Sequence, residues 1–263
     1  MPNILIVTDL EGLTTVTQKE PIKDETSLAY KSACEQLMRE TNLAISALID
    51  AGATKIYVLD GHASGKNFIK NSLDKRAVQV WGDDLAWVMK EIEGFVMLGA
   101  HALAGSSDGF FSHTLMWEEF KVYRHNGRAV GETDIMATYA GLFDVPCIAV
   151  TGDNHVCLEV ERVFNGVATA VVKRAISRDE AQPLSYTDAK KVIYNAMVKG
   201  FKNRKNIKPL KETFPLTVEV DFSTETALER WCKNRTDIIK GENLNTKSIK
   251  LRENVKFYRD LFL

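Results

Sequence analysis

Four short apolar runs in the first part of the chain each end in side chains that can bind cations. Ile4–Val7 leads to Asp9 and Glu11, Lys55–Leu59 to Asp60 and His62, Phe95–Leu98 to His101, and Cys147–Val150 to Asp153. Residues two apart in an extended segment point to the same face, so Asp9 can act with Glu11, and Asp60 with His62, on a single ion. Carboxylate oxygens mixed with imidazole nitrogens suit zinc or another first-row divalent cation. Taken singly, each group has a plainer use. An Asp-x-Glu at a strand end commonly makes a turn or a helix cap, and a lone histidine is commonly a buried neutral ring bonded to a carbonyl. Three of the five histidines follow or closely trail such runs, and that recurrence favours one shared site.

The runs themselves are too short for helices, rich in β-branched and aliphatic residues, and closed by polar or glycine clusters, the pattern of strands buried on both faces. Helical spacing separates them. It is clearest from Thr26 to Ala51, where Gly52 ends it, and recurs over Thr133–Leu142 and from Asn154 onward. Strand, helix, strand implies right-handed crossovers. The expected fold is therefore α/β: three layers, a mostly parallel sheet with helices on both faces, plus a smaller α+β C-terminal subdomain. In such sheets the carboxyl ends of the strands share one edge, where ligands bind.

One antiparallel insertion is also expected. Phe120–Tyr123 and Arg128–Val130 flank Asn126-Gly127, a two-residue hairpin signal. After Val172 the chain becomes basic. Residues 171–263 hold 20 of the 34 Lys and Arg and 12 of the 35 Asp and Glu, so the two parts stand at +8 and -9. The expected division is 1–172 and 173–263. The second part holds a Lys-rich helix over Ala189–Lys202, an alternating strand over Leu216–Phe222 and a last helix from Glu253.

A hydrophobic content of 45% excludes a disordered chain, and no apolar run approaches the roughly 18 residues a membrane span needs. Neither a basic leader nor a long apolar segment follows Met1, and Cys34, Cys147, Cys157 and Cys232 form no CxxC, so reduced thiols and a cytoplasmic location are expected. Nucleotide binding has no support: no GxGxxG follows a strand, and Gly61–Asn67 is a residue short of a phosphate loop. No GxSxG elbow marks a serine hydrolase, and Glu11 stands where an Asp-x-Asp phosphotransferase has its second aspartate. The C-terminal lysines lack interleaved aromatics, so no nucleic-acid partner is expected.

The set Asp9-Leu-Glu11-Gly12, Asp60-Gly-His62, Gly99-Ala-His101, Ser112-His113 and Val130-Gly-Glu132, in this order and separation, resembles the zinc-dependent D-aminopeptidases of the DppA type, the M55 peptidase family. The likeness extends through Asp144-Val-Pro146, Thr151-Gly-Asp153 and Ala170–Ser177, and Gly152-Asp153-Asn154 departs from the family's Gly-Asp-Asp. It implies a dinuclear site with two Zn²⁺ per chain. Asp9 would bridge the ions, Glu11 and His101 would complete one, and His62 and Glu132 the other. His113 matches the family's catalytic nucleophile. The resemblance further implies hydrolysis of short peptides or amides with an N-terminal D-amino acid, and a ring-like homo-oligomer. The alternatives are a dinuclear amidohydrolase of other specificity and a non-catalytic, metal-stabilised assembly protein. Outside this set, Asp60 is expected to orient His62, His125 to be exposed beside its hairpin turn, and His155 to lie at a helix start. Trp81, Trp87, Trp117 and Trp231 are expected in the core or at a subunit interface.

Overall fold

In the computed structural model, which describes residues 2–19, 22, 24–233, 239–240, 247–252 and 258–261, the chain builds two sheets. The strands are β1 (Asn3–Thr8), β2 (Lys55–Asp60), β3 (Ala77–Val80), β4 (Phe95–Ala100), β5 (Phe120–His125), β6 (Arg128–Ala129), β7 (Cys147–Asp153), β8 (Ala168–Ala175), β9 (Ala181–Pro183), β10 (Leu216–Phe222), β11 (Ile239–Lys240) and β12 (Lys247–Arg252). The larger sheet runs β3-β2-β1-β4-β7-β8-β9 and is parallel except for β9.

Burial on both faces explains why these strands read as unbroken apolar runs. Ile4, Ile6, Ile56, Val58, Val96 and Leu98 face one core, shared with the helices Leu28–Asp50 and Tyr186–Asn203. Leu5, Val7, Tyr57, Leu59, Phe95 and Met97 face the other, shared with the helices Glu132–Gly141 and Asn154–Val163. Each such aliphatic side chain contributes roughly 1.5–3 kcal/mol by leaving water, so the core fixes where each strand ends. From β1 the order moves outward through β2 to β3, and from β4 outward through β7 to β8 on the other side. The reversal lies between β1 and β4, and it opens a crevice at their carboxyl ends. Backbone bonds bring the loop after β1 across that crevice: Asp9 N–H donates to Leu98 O (2.8 Å) and Gly12 N–H to Gly99 O (2.7 Å). A Cβ on Gly12 would sit 2.0 Å from Ala100 O, and Gly99 holds φ +79°. Only glycine permits that approach.

The smaller sheet is antiparallel, ordered β11-β12-β10-β5-β6. In β10 the alternation is clean, with Leu216, Val218, Val220 and Phe222 buried. Asn126 and Gly127, both at positive φ, turn the expected hairpin. The sheets do not divide at position 172. β8 runs across it, the Tyr186–Asn203 helix packs on β7 and β8, and the smaller sheet takes β5 and β6 from before it. His125 is fully buried rather than exposed, because β5 is an inner strand that pairs His125 with Val218 of β10. The expected helix from Glu253 begins outside the described residues. Among the described residues, no helix is long and apolar enough to cross a membrane.

Candidate metal centre

Three neighbouring strands, β2, β1 and β4, deliver His62, Asp9 with Glu11, and His101 to the crevice. Glu132 enters from elsewhere, at the first turn of the Glu132–Gly141 helix that follows the hairpin. His113 comes from the loop after β4, which is tied down at several points. Phe110 N–H donates to Asp153 Oδ2 (3.2 Å), Phe111 N–H to Arg178 O (2.8 Å), and Arg178 Nη2 to Ser112 O (3.0 Å). The six residues that the resemblance assigns to the site thus meet in one place.

His62 Nε2 lies 3.2 Å from Glu11 Oε1, and His101 Nε2 lies 3.4 Å from both Asp9 Oδ2 and Glu132 Oε1. His113 Nε2 stands further off, 3.8 Å from Glu132 Oε1 and 3.9 Å from Glu11 Oε1. Its ring stacks on that of His101 with centroids 3.9 Å apart. Glu11 pairs with His62, and His101 pairs with Glu132 as closely as with Asp9, unlike the distribution the resemblance implies; both distributions use the same four side chains around Asp9. Two groups of donors, Asp9 with Glu11 and His62, and His101 with His113 and Glu132, each gather their ligand atoms within 4.8 Å.

Each imidazole is oriented the same way. Nδ1 of His101 faces Ala102 O (3.1 Å), that of His113 faces Phe111 O (2.7 Å), and that of His62 faces Asn67 Oδ1 (3.4 Å). An Nδ1–H donated to oxygen leaves Nε2 as the lone-pair side of a neutral ring. Nε2 of His62 and of His101 is aimed at carboxylate oxygens, an arrangement that needs a proton or a cation between them; burial opposes the proton, yet Glu11 raises His62 to about 10 and Glu132 raises His101 well above its ordinary value. Asp9 Oδ2 and Glu11 Oε2 are buried with no hydrogen-bond partner among the described residues.

The charges interact strongly. Burial, and then Glu11, push the Asp9 carboxyl well above the usual range. Burial works against Glu11 and Glu132 as well, but His62 pulls Glu11 well below its usual range, and His101 and His113 pull Glu132 down to about 2. Burial, reinforced by His101, lowers His113 to about 4, so its ring is neutral at pH 7. Without a cation the three carboxylates share this space only because protons on Asp9, His62 and His101 offset their charge, and divalent cations would take the place of those protons.

Asp60 and Asp153 carry the same strand-end signature and serve differently. Asp60 accepts from Asn67 N–H (2.6 Å) and Nδ2 (2.8 Å), and Asn67 Nδ2 also donates to His62 O (2.8 Å), so Asp60 steadies His62 through Asn67. Asp153 caps the helix after β7, accepting from His155 N–H and Val156 N–H, which places His155 at the helix start as expected. The centre opens into a cavity of about 740 Å³ whose walls include Trp81, Phe111, Met116, Trp117, Trp231 and Tyr258. Three of the tryptophans expected in a core or interface therefore face the cleft; Trp87 instead packs edge-on against Tyr57, 5.4 Å between centroids. Tyr258 carried no sequence signal, and Asn67 stood only at the end of the Gly61–Asn67 segment, whose phosphate-loop reading gave it no part in this centre.

Fold and site together define an α/β hydrolytic enzyme with a carboxylate–imidazole centre at the sheet's switch point. The chain belongs to the M55 peptidase family, the D-aminopeptidases, whose sequence profile matches residues 3–258, and it is a hydrolase acting on peptide bonds. It is 29% identical over 220 residues to a D-aminopeptidase of Bacillus subtilis (strain 168), covering 82% of this chain and 79% of that protein. Its fold is similar to that of the Zn-dependent D-aminopeptidase DppA from Bacillus subtilis, described as a self-compartmentalizing protease, with a TM-score of 0.89, 23% identity, and coverage of 98% of this chain and 94% of that one.

Proposed function

We propose that this peptidase is a dinuclear zinc aminopeptidase that removes an N-terminal D-amino acid from short peptides or amides. Asp9, Glu11, His62, His101 and Glu132 would hold the two ions, with Asp9 shared. The observation that carries this reading is that Asp9 Oδ2 and Glu11 Oε2 are buried without a hydrogen-bond partner among the described residues, while Nε2 of His62 and of His101 stands 3.2–3.4 Å from oxygens of Glu11, Asp9 and Glu132. Ligand atoms around a tetrahedral zinc lie about 3.3 Å from one another, given metal–ligand distances of about 2.0–2.1 Å, and the contacts at 3.2–3.4 Å fit that spacing. The preference for a D-residue rests on the family description and on the Bacillus subtilis relative.

Bound zinc ions supply Lewis acidity for the scissile carbonyl and acidify water near neutral pH. The protein's own part is orientation and proton handling. His113, neutral and tied at Nδ1 to Phe111 O, presents Nε2 to the cleft as a base or a nucleophile. Leu115 N–H donates to Glu132 Oε1 at 2.8 Å, which ties the loop carrying His113 to the Glu132 carboxylate. The aromatic walls exclude water and receive apolar side chains flanking the scissile bond. A ring-like homo-oligomer and a cytoplasmic location belong to the same proposal; four free thiols agree with the latter.

The deciding experiment measures zinc content and then turnover of paired D- and L-aminoacyl chromogenic amides, with and without chelator. Close to two zinc ions per chain, and D-selective hydrolysis abolished by chelation and restored by zinc, are expected. L-selective turnover would point to a dinuclear amidohydrolase of other specificity, and metal binding without turnover to an assembly role. Undiminished hydrolysis by Asp9→Asn would refute the mechanism.

A further inference from the structure

Lys173 lies in β8 among core residues, and its side chain is fully buried. Burying an ammonium is costly unless every N–H finds an acceptor. Here Nζ donates to the carbonyl oxygens of Glu11, Leu13 (3.0 Å) and Val16, and it sits over the Phe110 ring, 4.3 Å from the centroid. Burial pulls this ammonium down to about 7, with Asp153 and Glu40 acting against that, but the geometry is that of the charged form: three carbonyls match three ammonium donors, which a neutral amine with two N–H groups cannot supply. All three acceptors belong to one irregular segment, the six residues 11–16, which begins at Glu11, two residues after Asp9. Glu40 grips the same segment by its other polarity, accepting Thr14 N–H at Oε1 (2.9 Å) while Gln36 Nε2 steadies that oxygen (2.8 Å).

We propose that Lys173 is a positioning residue for the metal centre: its ammonium gathers the 11–16 carbonyls as a bound structural cation would, and so sets Asp9 and Glu11 in place before zinc arrives. The inference rests on the dinuclear-metal reading above and adds a residue that touches neither ion nor substrate. Lysine suits the role because its flexible stem carries a compact point charge with three donors, which a ring of carbonyls can surround. Without that charge, the three carbonyls would face one another and the apolar core, and the segment would reorganise to reach water.

The test uses the full chain, with Lys173→Met to keep volume and remove charge, and Lys173→Ala to leave a channel. n-Propylammonium supplies the atoms that the alanine variant lacks. Zinc affinity is read by competition with a chromogenic chelator, and folding by the melting temperature of the metal-stripped protein. Both variants should bind zinc about 10- to 100-fold more weakly. Propylammonium should recover most of that loss in Lys173→Ala and none in Lys173→Met, and tetramethylammonium should recover none in either. A Lys173→Met protein with zinc affinity within about twofold of wild type would overturn the proposal. So would a Lys173→Ala deficit that persists under saturating propylammonium while the melting temperature matches wild type. Wild-type protein that takes up no zinc would instead overturn the metal reading itself, before any variant is made.

Discussion

Asn67→Ala separates the groups that hold a ligand from the ligand itself. The Asn67 side chain is buried, donates to His62 O and to Asp60 Oδ1 (2.8 Å each), faces His62 Nδ1 at 3.4 Å, and accepts from the Tyr30 hydroxyl. Truncation leaves Asp60 with its backbone donor from residue 67 (2.6 Å) and removes the rest. One charge-assisted bond is worth about 1.5–3 kcal/mol and each of the three neutral ones about 0.5–1.5 kcal/mol, so the fold should lose about 3–7 kcal/mol. The effect on metal is separate. Loss of the group that orients a ligating imidazole weakens affinity about 10- to 100-fold, which is about 1.4–2.7 kcal/mol. Zinc competition at 25 °C, alongside urea unfolding of metal-stripped protein, reads the two effects independently. Tyr30→Phe, which removes one bond to Asn67 and leaves its contacts with His62, should show under a third of the affinity loss. If Asn67→Ala binds zinc within about twofold of wild type while losing the expected stability, then His62 is not oriented by this chain of bonds or is not a ligand.

His113→Gln should lower kcat by about 10²- to 10⁴-fold, the usual worth of a positioned acid or base, and leave zinc content at the wild-type value; loss of zinc would make His113 a ligand instead. Acid should weaken the fold through His125. Burial holds its folded-state pKa down at about 4, below the unfolded value of about 6.5, so its contribution is complete above pH 6.5 and lost as pH falls from there toward 4. The loss is about 3 kcal/mol, and a His125→Gln protein should show a correspondingly flatter decline in urea-unfolding free energy over that window; equal slopes would refute it. Trp117→Ala should raise KM for substrates with bulky apolar side chains about 10-fold more than for alanyl substrates, by removing a wall of the cavity. Equal changes for both would place that tryptophan outside the substrate's reach.

Much of the centre was legible because of one regularity: parallel strands end along a common edge, and period-two alternation aims residues two apart at the same point. That regularity brought Asp9, Glu11, His62 and His101 forward as candidates, together with Asp60 and Asp153. It could not separate them from Asp153, whose identical signature serves a helix cap, because the difference lies in which way a carboxylate turns after the strand ends. Glu132 needed the resemblance, since it arrives on a helix after the hairpin and no strand-end pattern marks it. His125 was misjudged from its place beside a turn. Its burial comes from β10, which pairs with β5 across a separation in sequence that local pattern cannot span. Trp117 and Trp231 pack against the two cores as expected, and only the assembled cleft shows that their other faces line it.

Charge was the other legible quantity, and the structure gives its asymmetry a mechanical meaning. The first 170 residues carry the acidic excess and the remainder the basic one, which by itself suggests two solvated surfaces of opposite sign. At the centre the opposite holds. Asp9 and Glu11 are buried, and Glu132 is nearly so, where like charges repel most. From the basic third, Lys173 crosses into this acidic region. Its ammonium meets carbonyls some 160 residues earlier in the chain, one of them on Glu11 itself. A cluster that must concentrate negative charge to attract cations needs its backbone held by something other than those cations, or it would come apart whenever they leave. A lysine delivered by the sheet meets that need, because β8 is fixed by core packing that does not depend on metal. On this reasoning, the basic excess after Val172 includes at least one charge that belongs to the centre, and the metal-stripped protein should keep its fold while its affinity for zinc rests on residue 173.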